Sequence, residues 1–253
     1  MQPASRRTDL LFVTWAGALL AAAAAGWTLF AAEPKKKDKD AEFLSKEENE
    51  VVRELNEARQ YPAKFAGYLK ERKPHYRQDN SLAMPGFSVY STQEGVKAVD
   101  EAIVFLEKTK PIPTLQAARG ISLAAADHAE DIGPKGAVEH AGTDKSQPAD
   151  RMARYGTWKK NCAENISAGW SDPRQIVLQL IIDDGVADRG HRKNIFEADY
   201  RVVGVAIRPH KQYKIVCVMD FAGAYTENES AQRKRTDRKT DPRPTPRAVK
   251  PGS

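Results

Sequence analysis

Cysteine is scarce in this chain: Cys162 and Cys217 are the only two in 253 residues. Neither lies in a glycine-rich turn or beside a thiol-enzyme signature, and Ser167 lacks the flanking glycines of a nucleophile elbow. The sequence therefore argues against nucleophilic catalysis. No cysteine follows the N-terminal apolar run, so a lipoprotein anchor has no support. A charge bias is also lacking once the charges are located. The net charge is +6, but residues 226–253 carry eight Lys/Arg against four Asp/Glu, and residues 1–9 carry Arg6 and Arg7 against Asp9. The long stretch between is close to neutral, which removes the case for a specific nucleic-acid partner.

The two ends differ from the middle. Arg6 and Arg7 precede an uncharged run from Leu10 to Ala32, the pattern of a positive n-region followed by an apolar h-region. Residues 1–32 are read as an export signal, either cleaved or retained. The run matches the roughly 20 residues that span a bilayer, so a retained anchor is the one route to a membrane. Residues 33–42, with Lys35-Lys-Lys-Asp-Lys-Asp40, form a charged linker. Residues 226–253, with Arg233-Lys-Arg235 and four prolines, have little to bury and are expected to be disordered. They serve as a solubilising tail or as a contact for an anionic surface. Residues 43–225 are left as one domain, a size that supports a single core.

Within it, helical patterning comes first and a hairpin late. Ser45 with Glu48 predicts a capping box, and Val51, Val52, Leu55 and Ala58 keep helical spacing until Pro62 forces a restart through Leu69. A loop is expected from about Pro74 to Tyr90. Ser91 with Glu94 repeats the capping pattern ahead of Val96, Val99, Ile103 and Leu106, and Pro111 ends that stripe. Leu123 to Ile132 predicts a third helix. Pro148 to Tyr155 and Pro173 to Asp184 predict two more, each opened by proline. Arg201 to Arg208 and Tyr213 to Ala222 alternate and predict an antiparallel hairpin. The fold class is α+β.

Three segments bring chemistry. They are His140-Ala-Gly-Thr-Asp144, Ala163-Glu-Asn165 and Gly190-His-Arg-Lys-Asn-Ile195. Two neutral imidazoles with nearby carboxylates either hold a divalent cation such as Zn²⁺ or Ca²⁺, or form a polar cluster in which each group orients the next. Both readings stand at this point. His128, with acidic neighbours Asp127 and Glu130, is expected on a partly exposed helix face, and His75 and His210 carry no role. In an exported chain an even cysteine count predicts a Cys162–Cys217 disulfide stapling a loop to a strand.

These segments together resemble the CAP superfamily (cysteine-rich secretory proteins, antigen 5 and pathogenesis-related proteins), in its bacterial branch. Asn56-Glu-Ala-Arg59 resembles the first-helix signature, and His140-Ala-Gly-Thr-Asp144 with Asp150-Arg151-Met152 resembles the first-histidine loop. Ala163-Glu-Asn-Ile166 resembles a Gly-Glu-Asn motif, and Gly190-His-Arg-Lys-Asn-Ile195 with Val203-Gly-Val205 resembles the second-histidine signature. The resemblance implies an α-β-α sandwich with a small antiparallel sheet. It also implies a central cleft holding His140, His191 and Glu164, with a second acidic residue. The usual Trp-Glu pair is missing, and Ile181-Ile-Asp183-Asp184-Gly185 stands near its place, so Asp183 or Asp184 supplies that carboxylate. The segment from Pro74 to Pro111 exceeds a minimal domain and is expected to cover one end of the cleft.

Three functions follow. The first, favoured, is an exported module whose cleft takes up a small or apolar ligand, a peptide or a cell-envelope component, lipid and sterol included. The second is a hydrolase in which Glu164 acts as general base with His140, His191 or a metal they hold. The third is a structural envelope protein.

Overall fold

The computed structural model describes residues 41–231, and the expected export signal, most of the linker and the tail beyond Ala231 lie outside them. The chain forms α1 (Lys46–Gln60) and α2 (Pro62–Arg72), then a 3₁₀ turn at Lys73–His75, β1 (Ser81–Leu82) and β2 (Tyr90–Ser91). Next come α3 (Val96–Lys108), β3 (Gln116–Ala117), α4 (Arg119–Ile132) with a 3₁₀ turn at Gly133–Lys135, α5 (Pro148–Ala153) and β4 (Gly156–Ala168). The last elements are α6 (Pro173–Ile182), α7 (Gly190–Phe196), β5 (Val202–His210) and β6 (Lys214–Glu227). Among the described residues no helix is long and apolar enough to cross a membrane.

The main sheet has strand order β3-β5-β6-β4. Its β5-β6-β4 part is antiparallel, and the two-residue β3 adds to β5 in parallel. Alternation along β6 sends Cys217, Met219 and Phe221 to one face and Val216, Val218 and Ala222 to the other. The first set joins Val51, Leu55, Phe65, Val99 and Ile176 of α1, α2, α3 and α6 in the larger core. The second set packs under α4 and α5, against Ala125, Ala129, Leu123 and Met152. The result is an α-β-α sandwich.

Two sequence signatures acquire structural reasons here. A Cβ on Gly204 would stand 2.2 Å from the Ile121 carbonyl carbon and 2.3 Å from the Ser122 nitrogen, so only glycine lets α4 lie this close to β5. Arg59 is fully buried and donates to the carbonyls of Pro113, Ile195, Glu197 and Tyr200. It thereby pins the end of α7 to α1. Burial, helped by nearby Arg201, lowers its guanidinium to about 10.

The capping box at Ser45 and Glu48 forms as read. The second does not: Ser91 lies in β2, and Gly95, at φ 60°, is the residue ahead of α3. Glu94 is taken instead by Arg189 and by the Gly185 N–H. The segments that carry Glu164 and His191, to which the sequence pattern assigns no helix or strand, are a 13-residue strand and a short helix. The domain also runs past residue 225. β6 continues to Glu227, and Ala231 is fully buried beside Met152 and Tyr155.

The expected disulfide is absent. Both cysteines are free thiols, Cys162 on β4 and Cys217 on β6. Cys162 stands opposite Ala222, and Cys217 opposite Ser167, five positions further along β4. At about 3.3 Å per residue that is roughly 17 Å, far beyond the ~7 Å limit for Cα atoms of a disulfide. The odd separation also puts the two thiols on opposite faces of the sheet, Cys162 against the α4 side and Cys217 in the larger core.

Candidate functional site

The site straddles β4, an edge strand of the main sheet. Successive strand residues point to opposite faces, so Glu164 turns to the α4 and α5 side and Asn165 to the α6 and α7 side. Each recruits one histidine. The His140 Nδ1–H donates to Glu164 Oε1 at 2.8 Å, and the Asn165 side chain donates to the His191 carbonyl at 3.0 Å. Asn194 donates to Asn165 Oδ1 at 2.8 Å, which fixes that amide. The two imidazoles then stand with ring centroids 6.4 Å apart.

His191 has its own carboxylate. Asp183 closes α6 in the left-handed conformation, and its Oδ1 accepts from His191 Nδ1 at 2.6 Å. Its Oδ2 accepts from the backbone N–H groups of His191 and Arg192, capping the first turn of α7 from outside. Of the two acidic candidates, Asp183 therefore joins the histidines. Asp184 turns away and accepts from the backbone N–H groups of Gln93 and Glu94. Arg189 bonds Glu94, Glu101 and the carbonyls of Asp183 and Val186, locking this turn to α3 and the segment before it.

Glu164 is 5% exposed and both of its oxygens are engaged. Oε1 holds His140, and Oε2 receives Arg151 Nη2 at 2.7 Å. Arg151 is itself buried and also holds the carbonyls of His140 and Ser146, so it shapes the first-histidine loop while neutralising the glutamate. This geometry makes Glu164 a group that orients His140, not a base open to water.

Three residues missed as site members complete the buried side. Arg151 is the first. Asp220, fully buried, is the cross-strand partner of Glu164. Burial, reinforced by the Glu164 charge, pushes its carboxyl well above the usual aspartate range. Neither Asp220 oxygen has a hydrogen-bond partner among the described residues, and Arg151 Nε is likewise unpaired there. His128 is fully buried, contrary to the exposed face read from its acidic neighbours. Its Nε2–H donates to the Glu139 carbonyl at 2.7 Å and lies 3.7 Å from Glu164 Oε1. Desolvation lowers its pKa, which keeps it neutral. Strand alternation from Ala222 back to Asp220 was the one available signal for the aspartate. Nothing local announced His128, because the covering element is the distant loop around Glu139.

Beside His191 opens a cleft of about 170 Å³ whose lining includes Arg72, Tyr76, Tyr90, Trp170, Asp184 and His191. The segment carrying β1 and β2 forms one wall, in the covering position expected of the long insertion. Tyr90 stacks on Trp170 at 4.1 Å and donates to the Gly169 carbonyl at 2.6 Å, fastening that wall to the end of β4.

A sandwich of this order, with one carboxylate-held histidine from each helical layer, defines a class, and sequence comparison gives the same answer. The CAP model, described as the cysteine-rich secretory protein family, matches residues 52–221, and the chain belongs to that family. It is 28% identical over 119 residues to the uncharacterized protein YkwD of Bacillus subtilis, a match covering 46% of this chain and 44% of that protein. The chain thus spans less than half the length of this curated relative. Among solved structures, an outer surface protein from Borrelia burgdorferi matches at 14% identity and a TM-score of 0.38, covering 44% of this chain and 78% of that one. An extracellular protein containing an SCP domain from Bacillus anthracis matches at 17% identity and a TM-score of 0.35, covering 51% and 38%.

Proposed function

We propose that this chain is an exported binding module that takes up a ligand in the cleft beside His191. The observation that carries the reading is the cleft itself: a recess of about 170 Å³ with aromatic walls, closed on one side by the β1–β2 segment and bordered by an oriented imidazole. Concave, largely apolar sites with a few fixed polar groups are the usual form of small-ligand sites. The charged and apolar N-terminal sequence and membership of a secretory family support the exported part of this reading. Isothermal titration of the full chain with N-acetyl-dialanine, octanoate and N-acetylglucosamine tests the reading. Saturable heat with any one of them supports it, and no heat with all three overturns it.

One observation favours a second reading, metal-assisted hydrolysis. With both Nδ1–H groups donated to carboxylates, the Nε2 lone pairs of His140 and His191 are left as ligands, the orientation that carboxylate-backed metal histidines adopt. Two imidazoles fit a divalent cation whose other positions are filled by water. Among the described residues no set of three or more metal-binding side chains forms, so such a site would be weak. A bound cation would acidify water or polarise a carbonyl. Glu164 and Asp183 hold the imidazole protons in that case, and Arg151 bonds the second oxygen of Glu164. Zn²⁺-dependent cleavage of a peptide, lost in both histidine variants, would move the assignment to this reading.

A further inference from the structure

Arg72, the last residue of α2, is 5% exposed and lines the cleft. Its guanidinium lies over Trp170 at 5.2 Å, its Nη1 donates to Gln175 Oε1 at 2.6 Å, and Tyr76 sits beside it. No carboxylate pairs with it among the described residues, and its Nε has no hydrogen-bond partner there. Other buried arginines are better compensated: Arg151 has Glu164, Arg192 has Glu101, and Arg59, without a carboxylate, donates to four backbone carbonyls, whereas Arg72 has one amide oxygen. The acidic residues lining this cleft are already committed, Asp183 to His191 and α7, Asp184 to backbone N–H groups. Burying a cation without a counter-charge is costly, and burial depresses the Arg72 pKa accordingly. An anionic ligand group would remove that cost.

Resting on the binding-module reading, we infer that Arg72 is the anchor for a free carboxylate at the end of a peptide-like ligand. Arginine presents a planar fork of donors that matches a carboxylate in two parallel hydrogen bonds. The volume of about 170 Å³ is below the ~300–1,000 Å³ of sites that enclose whole drug-sized molecules, so the cleft accepts the end of a chain and not an entire lipid or sterol. Ser91, Thr92 and Gln179 line the same space. The Thr92 hydroxyl already donates to the Asn80 carbonyl and the Gln179 amide is bonded to Ser167 and Ala168, so an amide next to the carboxylate would use Ser91, the Thr92 oxygen lone pairs and the second Gln179 N–H. A peptide C-terminus meets all three conditions. A fatty acid has the carboxylate without the amide, and phosphate has the charge without either.

Isothermal titration of the full chain with N-acetyl-dialanine and with its C-terminal amide separates these cases without altering the protein. The acid should bind about tenfold or more tightly than the amide, the margin of a charge-assisted pair. Arg72→Gln should abolish that preference, and Arg72→Lys, which keeps the charge but not the fork, should retain part of it. Equal binding of acid and amide overturns the inference, as does a preference that survives Arg72→Gln. Octanoate or inorganic phosphate matching the peptide acid overturns it too. Uptake of octanoate or N-acetylglucosamine without the peptide acid would sink this inference and leave the binding module standing, whereas no binding by any probe removes both.

Discussion

Asp183 holds His191 twice, by Oδ1 on the ring Nδ1 at 2.6 Å and by Oδ2 on the backbone N–H at 2.9 Å. One carboxylate at the end of α6 thus starts α7 and aims its histidine. Asp183→Ala should cost about 1–2 kcal/mol through the lost cap, read by urea unfolding. Any Zn²⁺ affinity should drop about 10–100-fold, as when an outer partner of a metal histidine is removed. An unchanged unfolding midpoint would show that α7 starts without this cap.

His140 is exposed and His191 half-buried, so neither supports the core. His140→Ala and His191→Ala should leave the chain folded but lower its stability by about 1–3 kcal/mol, because each strips a donor from a buried carboxylate, Glu164 or Asp183. Titration with Zn²⁺, Ca²⁺ and Mg²⁺ should find that each removes whatever divalent-ion binding the native chain shows. Equal binding in both variants excludes the pair as ligands.

Among the described residues Arg151 is the one arginine or lysine paired with Glu164, and both side chains are almost fully buried. Arg151→Met should destabilise the chain by about 3–5 kcal/mol, because it removes the arginine from a buried glutamate that then keeps only the His140 N–H. Chemical denaturation measures this directly. A loss within about 0.5 kcal/mol, as at an ordinary surface site, would show that Glu164 is neutralised otherwise.

Asp220 keeps its proton in the folded chain at pH values where an unfolded aspartate, at about 4, has lost it. The folded state then binds more protons than the unfolded one, so its stability falls as pH rises through that window. Asparagine cannot titrate. Asp220→Asn should match the native chain near pH 4 and become progressively more stable relative to it toward pH 8. Thermal unfolding across this range checks the trend, and a difference that stays flat with pH would mean that Asp220 is ionised in the fold.

Cys162 and Cys217 lie on opposite sheet faces, so unreduced, denatured protein should take up two alkyl groups by mass spectrometry. In the native state both should react slowly, because burial raises both thiols, Cys217 far more. A linked Cys162–Cys217 peptide would contradict the strand register.

Much was legible where the signal is local. Ser45 and Glu48 announce a capping box because both hydrogen bonds lie within four residues, and the α1, α3 and α6 stripes declare helices because burial follows a 3.6-residue period. The strand β4 was not legible. Its middle, Asn161-Cys-Ala-Glu-Asn165, lacks alternation of apolar and polar residues, since Glu164 and Asn165 each serve a histidine on their own side. The cysteine pairing failed for the related reason that parity of number carries no information about register.

The sequence by itself determined the family, the α+β class, both histidines and the glutamate, since motif residues and helix periods are properties of neighbouring positions. Tertiary structure alone decided which of Asp183 and Asp184 meets His191. It also set Asp220, Arg151 and His128 beneath Glu164, separated the two thiols, and left Arg72 without a counter-charge in the cleft among the described residues. Each of these depends on strand register, or on the packing of elements far apart in the chain, and buried charge takes its meaning from what those elements bring beside it.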